Sequence, residues 1–336
     1  MIARLLTCVV TLAFFAAACG SDDELGRAPG EPSESAATDD PERQAPDRSR
    51  SVLQPGAAGD LARTAGQPRV DPIRPVHILG AVRVLPTSEN AWPSQAPFLL
   101  TDEASIAVLG CTPGSSGCEA AGLAALSRGG VDIVALTGSP AEPELDDLAD
   151  ARDALVDAGS SAVGYGASIA DAVAPAIVDT PSGAMAVHAI SLAEDLSPEA
   201  SIASPGLAGP TAIDALIASI EMQSESMLSI VVLVAWGNTE VRAPSSEHVE
   251  FAERLIGAGA TVVAGSGSDH LQRFERIDEG SVLFDLGSAA TVVDDPQRRD
   301  TAVLQLDLGD EGRPCVLPAT ASISGPSLDN PTDHAC

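Results

Sequence analysis

The chain contains no lysine: all 18 of its basic residues are arginine, against 48 acidic ones, for a formal net charge of −30 over 336 residues. So acidic a body repels nucleic acid, anionic polymers and anionic lipid headgroups unless a local basic patch intervenes. The densest arginine groups, Arg48/Arg50, Arg273/Arg276 and Arg298/Arg299, are small and lie among acidic residues. No nucleic-acid partner is expected. Aromatic residues are equally scarce at 3%, so the core has to be assembled from Ala, Val, Leu and Ile, for which an apolar content of 45% suffices. Beyond the N-terminus no apolar run reaches about 18 residues, which argues against a permanent membrane-spanning helix.

What the N-terminus does contain is an export signal. Met1 to Arg4 carries one positive charge, Leu5 to Ala18 is apolar apart from Thr7, Cys8 and Thr11, and the stretch closes on Ala16-Ala17-Ala18-Cys19-Gly20. Small residues ahead of a cysteine suit a peptidase that cuts before a lipid-bearing cysteine, so residues 1–18 read as a signal peptide and Cys19 as the lipid acceptor. An ordinary secretory signal cleaved at Ala-x-Ala is the plainer alternative. Gly20 stands where an aspartate would favour retention at the inner membrane, which tilts the anchor toward the outer membrane. From Cys19 to residue 75 the chain is rich in Asp, Glu, Pro, Ala, Ser and Gly, with weak apolar clusters at Val52-Leu53 and Leu61-Ala62. Such a segment buries too little surface to offset its ordering entropy and reads as a disordered tether.

With Cys8 in the signal and Cys19 lipidated, Cys111, Cys118, Cys315 and Cys336 are left, and four cysteines allow three pairings. Local pairing, Cys111 with Cys118 and Cys315 with Cys336, is preferred because both loops are short and rich in Gly, Ser and Pro. A zinc site is the alternative, but no Cys-x-x-Cys with a nearby His supports it.

From Val76 the texture changes to that of a layered α/β domain, residues 76–310. Strands are expected at Val76 to Gly80 with Val82 to Leu85, Ser105 to Leu109, Val131 to Leu136, Ala184 to Leu192, Leu228 to Trp236, Thr261 to Ala264, Ser281 to Asp285 and Ala302 to Asp307. Helices are expected at Ala120 to Leu126, Glu144 to Asp157, Ala212 to Met222 behind Pro210, and Glu247 to Gly257 capped by Ser245. In the second of these, Leu145, Leu148, Ala151 or Arg152, and Leu155 face inward, and the acids Asp146, Asp147, Asp150, Asp153 and Asp157 face outward. Helical spacing without a Gly-centred loop makes that acidic run a solvated face rather than a calcium site. Residues 311–336, Pro- and Ser-bearing, read as an irregular tail.

Two stretches resemble a known family. One is Gly129-Gly130-Val131-Asp132-Ile133-Val134-Ala135-Leu136, followed by Leu155-Val156-Asp157-Ala158-Gly159 and Gly164. The other runs from Ile230 through Ala235-Trp236-Gly237-Asn238-Thr239-Glu240 and Phe251 to Gly265, then His270-Leu271-Gln272 and Leu283-Phe284-Asp285-Leu286-Gly287. In order and spacing these are similar to the capsule-synthesis protein CapA family, associated with poly-γ-glutamate, whose domain resembles the calcineurin-like metallophosphatases. The resemblance implies a single four-layer α/β/β/α sandwich with metal ligands on loops at strand ends, and in the superfamily a two-metal centre that activates an attacking water.

At those loops this chain departs from the pattern. The family's Gly-Asp is Gly80-Ala81, its Asn-bearing loop is Gly110-Cys111-Thr112-Pro113, and its Asn-Asn-His is Gly138-Ser139-Pro140. Its His-Trp-Gly reads Ala235-Trp236-Gly237, its Gly-His-His-Pro-His reads Gly265-Ser266-Gly267-Ser268-Asp269, and its Leu-Gly-Asn reads Leu286-Gly287-Ser288. Ala81, Cys111, Pro140, Ala235, Trp236, Asp269, His270 and Ser288 thus mark a vestigial site. Asp269 alone does not build a two-metal centre. A Ser-His-Asp arrangement around His270 is a conceivable substitute, but no Gly-x-Ser-x-Gly elbow accompanies it. His188 reads as a hydrogen-bonded core residue, His248 as exposed, and Trp236 as a buried anchor.

The expected protein is therefore a lipid-anchored, non-catalytic member of the fold, with no catalytic residue, metal or cofactor. It would be held in the envelope through Cys19, with a binding or assembly role in capsule, polyglutamate or cell-envelope biogenesis and an envelope protein or the capsule polymer as partner. The competing expectation is a metal-dependent enzyme of polyglutamate capsule synthesis whose site lies at Asp269 and His270.

Overall fold

The computed structural model describes residues 52–53, 76–82, 104–115, 118–137, 143–180, 183–193, 195–237, 242–268, 270–290, 300–306 and 314–320. All lie within one compact unit, Arg50–Cys336. Two sheets carry the fold. The first holds β2 (Val76–Val82), β3 (Ala104–Leu109), β4 (Ile133–Ala135) and β5 (Ser161–Val163) in parallel succession. On the other side of β2 lie β15 (Asp300–Leu306), antiparallel, and β16 (Pro314–Thr320) beyond it. A short β14 (Ser288–Ala290) also pairs with β2. The second sheet has the order β1 (Val52–Leu53), β7 (Ala176–Thr180), β8 (Gly183–Ser191), β10 (Ser229–Ala235), β11 (Val262–Ser266), β13 (Gly280–Leu283), β12 (Phe274–Ile277). A separate two-stranded pair joins β6 (Tyr165–Gly166) to β9 (Gly206–Leu207).

Why the central strands are continuous apolar runs is visible in which core each residue enters. In β10, Val231 and Leu233 meet Ile78, Ile106 and Ile133 of the other sheet, while Ile230, Val232 and Val234 turn to a helical layer. A strand covered on both faces has no position for a polar side chain, so the period-2 alternation vanishes. On the outer face of the second sheet lie α4 (Ile213–Gln223), entered through a 3₁₀ turn at Pro210–Ala212, and α5 (Ser246–Gly257). Outside the first sheet lie α1 (Ala120–Arg128) and α2 (Leu145–Asp157), which bury Leu123, Leu126, Leu148, Ala151 and Leu155 against Leu79, Ala107 and Val134. A short α3 (Ile169–Ala172) links β6 to β7. Helix, sheet, sheet, helix: the architecture is the four-layer sandwich, and three apolar clusters fill its three interfaces.

Several local expectations are corrected. Val52–Leu53, assigned to the disordered tether, pairs antiparallel with β7, and Pro314–Thr320, assigned to an irregular tail, pairs along β15. Both are edge strands held by backbone pairing, which needs neither a large apolar side chain nor a second partner. That is also where proline is tolerated, as at Pro314 and Pro318. Leu145, placed on the inward face of α2, is 38% exposed because it sits in the first turn, ahead of the cover that Leu148 and Leu155 reach. On α5 the buried stripe includes Phe251 beside Ala252, Leu255 and Ile256.

Among the described residues, no helix is long and apolar enough to cross a membrane.

Candidate functional site at the strand ends

In parallel α/β sheets, loops leaving the carboxyl ends of strands gather at one end, and ligand sites form there. In this chain the two sheets meet at that end through residues 284–288. Leu286 N–H donates to the Gly265 carbonyl at 3.0 Å at the end of β11, and Ser288 stands in register with Ala81 at the end of β2. The approach is close enough to require glycine twice. A Cβ on Gly80 would run into the Gly287 carbonyl, and one on Gly265 would run into the Phe284 carbonyl and the indole nitrogen of Trp236. The close approach accounts for glycine at both positions.

The side chain that organises these loops is Asp285, fully buried. One carboxylate oxygen accepts the Gly287 N–H at 2.7 Å; the other accepts both the Ser268 N–H and the Ser268 hydroxyl at 2.8 Å. Its backbone carbonyl accepts the Gln272 N–H at 3.0 Å. Ser268, itself buried, also lies 3.1 Å from the His270 carbonyl. The loop after β11 and the loop after β13 are therefore tied to one buried carboxyl group. Sequence reasoning passed over Asp285, although a lone carboxylate between Phe284 and Leu286, just ahead of Gly287, carried the signal: an acid in a buried run must be paired.

At the end of β10, Ala235 stands in register between Ser191 of β8 and Ser266 of β11. Trp236, 3% exposed, donates its indole N–H to the Phe284 carbonyl. The ring stacks on His248 with centroids 4.6 Å apart at 23° and meets Phe251 edge-on. His248 is thus not an exposed residue of the first helical turn: it is half-buried against the indole, and that burial pushes its pKa down, with Glu247 opposing. At the end of β3, Cys111 is joined to Cys118 in a disulfide, with Cα atoms 6.2 Å apart.

Of the remaining marked positions, Cys315 lies in β16 opposite Gln305, while Cys19, Pro140, Asp269 and Cys336 lie outside the described residues. His270 is buried, its N–H 3.4 Å from the Ser268 hydroxyl, and that hydroxyl contacts the Asp285 carboxylate directly at 2.8 Å. Asp269, the acid of the Ser-His-Asp arrangement considered around His270, lies outside the described residues. His188 is a core residue, its Nδ1–H donating to the Val173 carbonyl at 2.8 Å and its Nε2 3.2 Å from the Gln223 side-chain oxygen.

A two-metal centre needs several carboxylate, imidazole or amide ligands turned toward a common point. Among the described residues the donors at the strand ends do not fit one. The Cys111 sulfur is committed to a disulfide, Ala235 offers a methyl group, and the Asp285 carboxylate is engaged by the protein's own N–H and O–H groups. Among the described residues no three His, Cys, Asp or Glu side chains converge to hold a metal ion.

Known proteins place this framework. Among solved structures it is similar to a phosphatase of Mycoplasma pneumoniae, at 10% identity and a TM-score of 0.53, covering 77% of this chain and 95% of that one. It is also similar to a hypothetical protein of Thermus thermophilus, at 16% identity and a TM-score of 0.46, covering 73% and 97%. A third is the NAD nucleotidase of Haemophilus influenzae, at 9% identity and a TM-score of 0.44, covering 76% and 53%. No curated protein matches. At such identities the likeness to the phosphatase concerns the fold, which is metallophosphatase-like. The family described as bacterial capsule synthesis protein PGA_cap matches residues 115–291, from the disulfide loop through the Asp285 loops to β14. That stretch is more than half of the chain, and the protein belongs to this capsule synthesis family.

Proposed function

We propose that this chain is an envelope-anchored, non-catalytic member of the capsule synthesis family, with a binding or assembly role in the making of capsule, polyglutamate or cell envelope. The observation that carries the reading is the occupancy of the strand ends by the protein's own groups. Where a metallophosphatase turns ligands toward two metals, this chain has a disulfide at Cys111, a methyl group at Ala235, a buried indole at Trp236 bonded to the Phe284 carbonyl and a carboxyl group already holding three donors. In this reading Cys19 is the lipid acceptor that holds the chain to the envelope, with the outer membrane favoured over the inner, and residues 19–75 are the linker segment. The acidity of the chain argues against capture of a polyanionic capsule by charge alone. The reading takes contact with an envelope protein as its mode, with the capsule polymer as the alternative.

The test is metal analysis of the purified mature chain together with phosphodiester and phosphomonoester hydrolysis in added Mn²⁺, Zn²⁺ and Ca²⁺. No stoichiometric metal and no turnover above the metal-only blank are expected. Two tightly held equivalents with turnover would overturn the reading and move a metal-dependent capsule enzyme to the front. Anchoring is tested separately by Cys19→Ser, which should release the protein from the membrane fraction and abolish incorporation of labelled fatty acid.

A further inference from the structure

An open sheet edge is a row of unpaired N–H and C=O groups that another strand can adopt, and folded proteins protect such edges. The two large sheets do so in different ways. At β12, Arg273 and Glu275 form an ion pair at 2.9 Å and Arg276 is exposed. β16 holds Pro314 and Pro318, which have no backbone N–H to donate. β5 is only three residues long. β7 would be the fourth edge: a five-residue strand with one charge, Asp179, and no proline. It is covered instead by a segment from far along the chain, Val52–Leu53, set antiparallel to it.

The cover is short and specific in register. Val52 stands opposite Val178, and Leu53 opposite Ile177. Val178 belongs to the apolar cluster between the sheets, whereas Ile177 packs against the helical layer outside. Register partners share a face of a sheet, so this edge suits an aliphatic residue at two consecutive positions, one for each face. Within residues 20–75, Val52-Leu53 is the one place where two such residues stand side by side. The compact unit accordingly begins at Arg50, just ahead of them. Consecutive antiparallel pairs alternate between bonded and non-bonded, so the contact rests on about two backbone hydrogen bonds. A contact of that size restrains a segment without locking it.

We propose that Val52–Leu53 is a detachable clasp on the β7 edge, which sets the length of chain free between Cys19 and the folded domain. The role rests on the reading of Cys19 as the anchor. With the clasp closed, residues 20–51 are free; with it open, residues 20–75 are free. Flexible chains of those lengths have root-mean-square reaches of about 30 and about 40 Å. Opening also bares the β7 edge, so reach and an open strand template are gained in one step.

The contact is tested in the full mature chain by cysteine pairing. Leu53→Cys with Ile177→Cys puts thiols at register partners, and Leu53→Cys with Thr180→Cys offsets them beyond disulfide reach. The in-register pair should form an intrachain disulfide at least about tenfold faster than the offset pair. Equal rates, or cross-links only between chains, would overturn the clasp. Val52→Asp with Leu53→Asp should raise amide exchange in 176–180 by at least about threefold, with the rest of the sheet unchanged. Unaltered exchange there would also overturn it. Reach is then read on phosphatidylcholine vesicles by energy transfer from a dye on the domain to a dye in the lipid. Transfer should be higher for the oxidised in-register pair than for the double Asp variant; equal transfer would remove the clasp's role. Cysteine pairing and amide exchange need no lipid, so failure of the anchor, read separately with Cys19→Ser, leaves their outcome intact.

Discussion

The strand-end loops and the shallow groove between α2 and β5, which Arg152, Tyr165 and Asp171 line, face opposite problems with the same kinds of side chain. At the strand ends a carboxylate, Asp285, is fully buried and spends its acceptor capacity on Ser268 and Gly287. In the groove a carboxylate, Asp171, gives one oxygen to its own helix start and shares the space with a cation that makes no ion pair among the described residues. The first arrangement is closed; the second is open.

Breaking the closed side should have the largest effect. Asp285→Ala leaves the N–H groups of Ser268 and Gly287 and a hydroxyl without their shared acceptor in a dry interior. A loss of about 3–5 kcal/mol is expected, read by denaturant unfolding, and a loss below about 1 kcal/mol would mean that Asp285 is not the organiser of these loops. Opening the Cys111–Cys118 loop by replacing both residues with Ser should cost about 2 kcal/mol, because a short closed loop restricts the unfolded chain only modestly. Equal melting temperatures for wild type with and without reductant would contradict it.

A smaller, pH-dependent effect comes from His188. Burial lowers its pKa in the folded state, with the Val173 and Gln223 hydrogen bonds opposing. The unfolded chain therefore takes up the proton first, and stability falls as pH drops below about 6.5, by at most about 1.4 kcal/mol per pH unit, levelling once the folded-state pKa is passed. A His188→Gln variant should show a shallower slope between pH 7 and 5; an identical slope would assign the acid sensitivity elsewhere. The smallest effect is expected on the open side. Arg152→Gln should change stability by less than about 0.5 kcal/mol, since a half-buried cation with no ion pair has little native interaction to lose. A substantial destabilisation would show that Arg152 is a structural residue and sharpen the contrast in the other direction.

Much of the fold is legible in the amino-acid pattern. The run Leu228 to Trp236 is observed as β10, and the helix expected over Glu144 to Asp157 is observed over Leu145–Asp157. Ser245 caps α5 as its position before the apolar stripe implied, accepting the His248 N–H at 3.2 Å. These are strong local patterns, repeated over many residues and tied to one core each. The edge strands β1 and β16 are not legible as strands because two and seven residues set in Pro-, Ser- and acid-rich sequence give too short a pattern, and their pairing is decided by the distant partners β7 and β15. His248 misled for a related reason: a residue in the first turn of an amphipathic helix is ordinarily solvated, and only the arrival of Trp236 from β10 covers it.

At the candidate site the sequence determined which residue types stand at the strand ends, Gly80-Ala81, Gly110-Cys111, Ala235-Trp236 and Gly287-Ser288. It also determined the layered α/β class, because apolar period and helix caps are local properties of the chain. What it could not contain is which polar groups meet. The Asp285–Ser268 bond joins residues 17 positions apart on different strands' loops, and the Arg152–Tyr165–Asp171 groove forms only when α2, β6 and α3 are brought side by side. Periodicity is written along the chain, whereas hydrogen-bond satisfaction and charge pairing are decided across it, by packing that only the tertiary structure supplies.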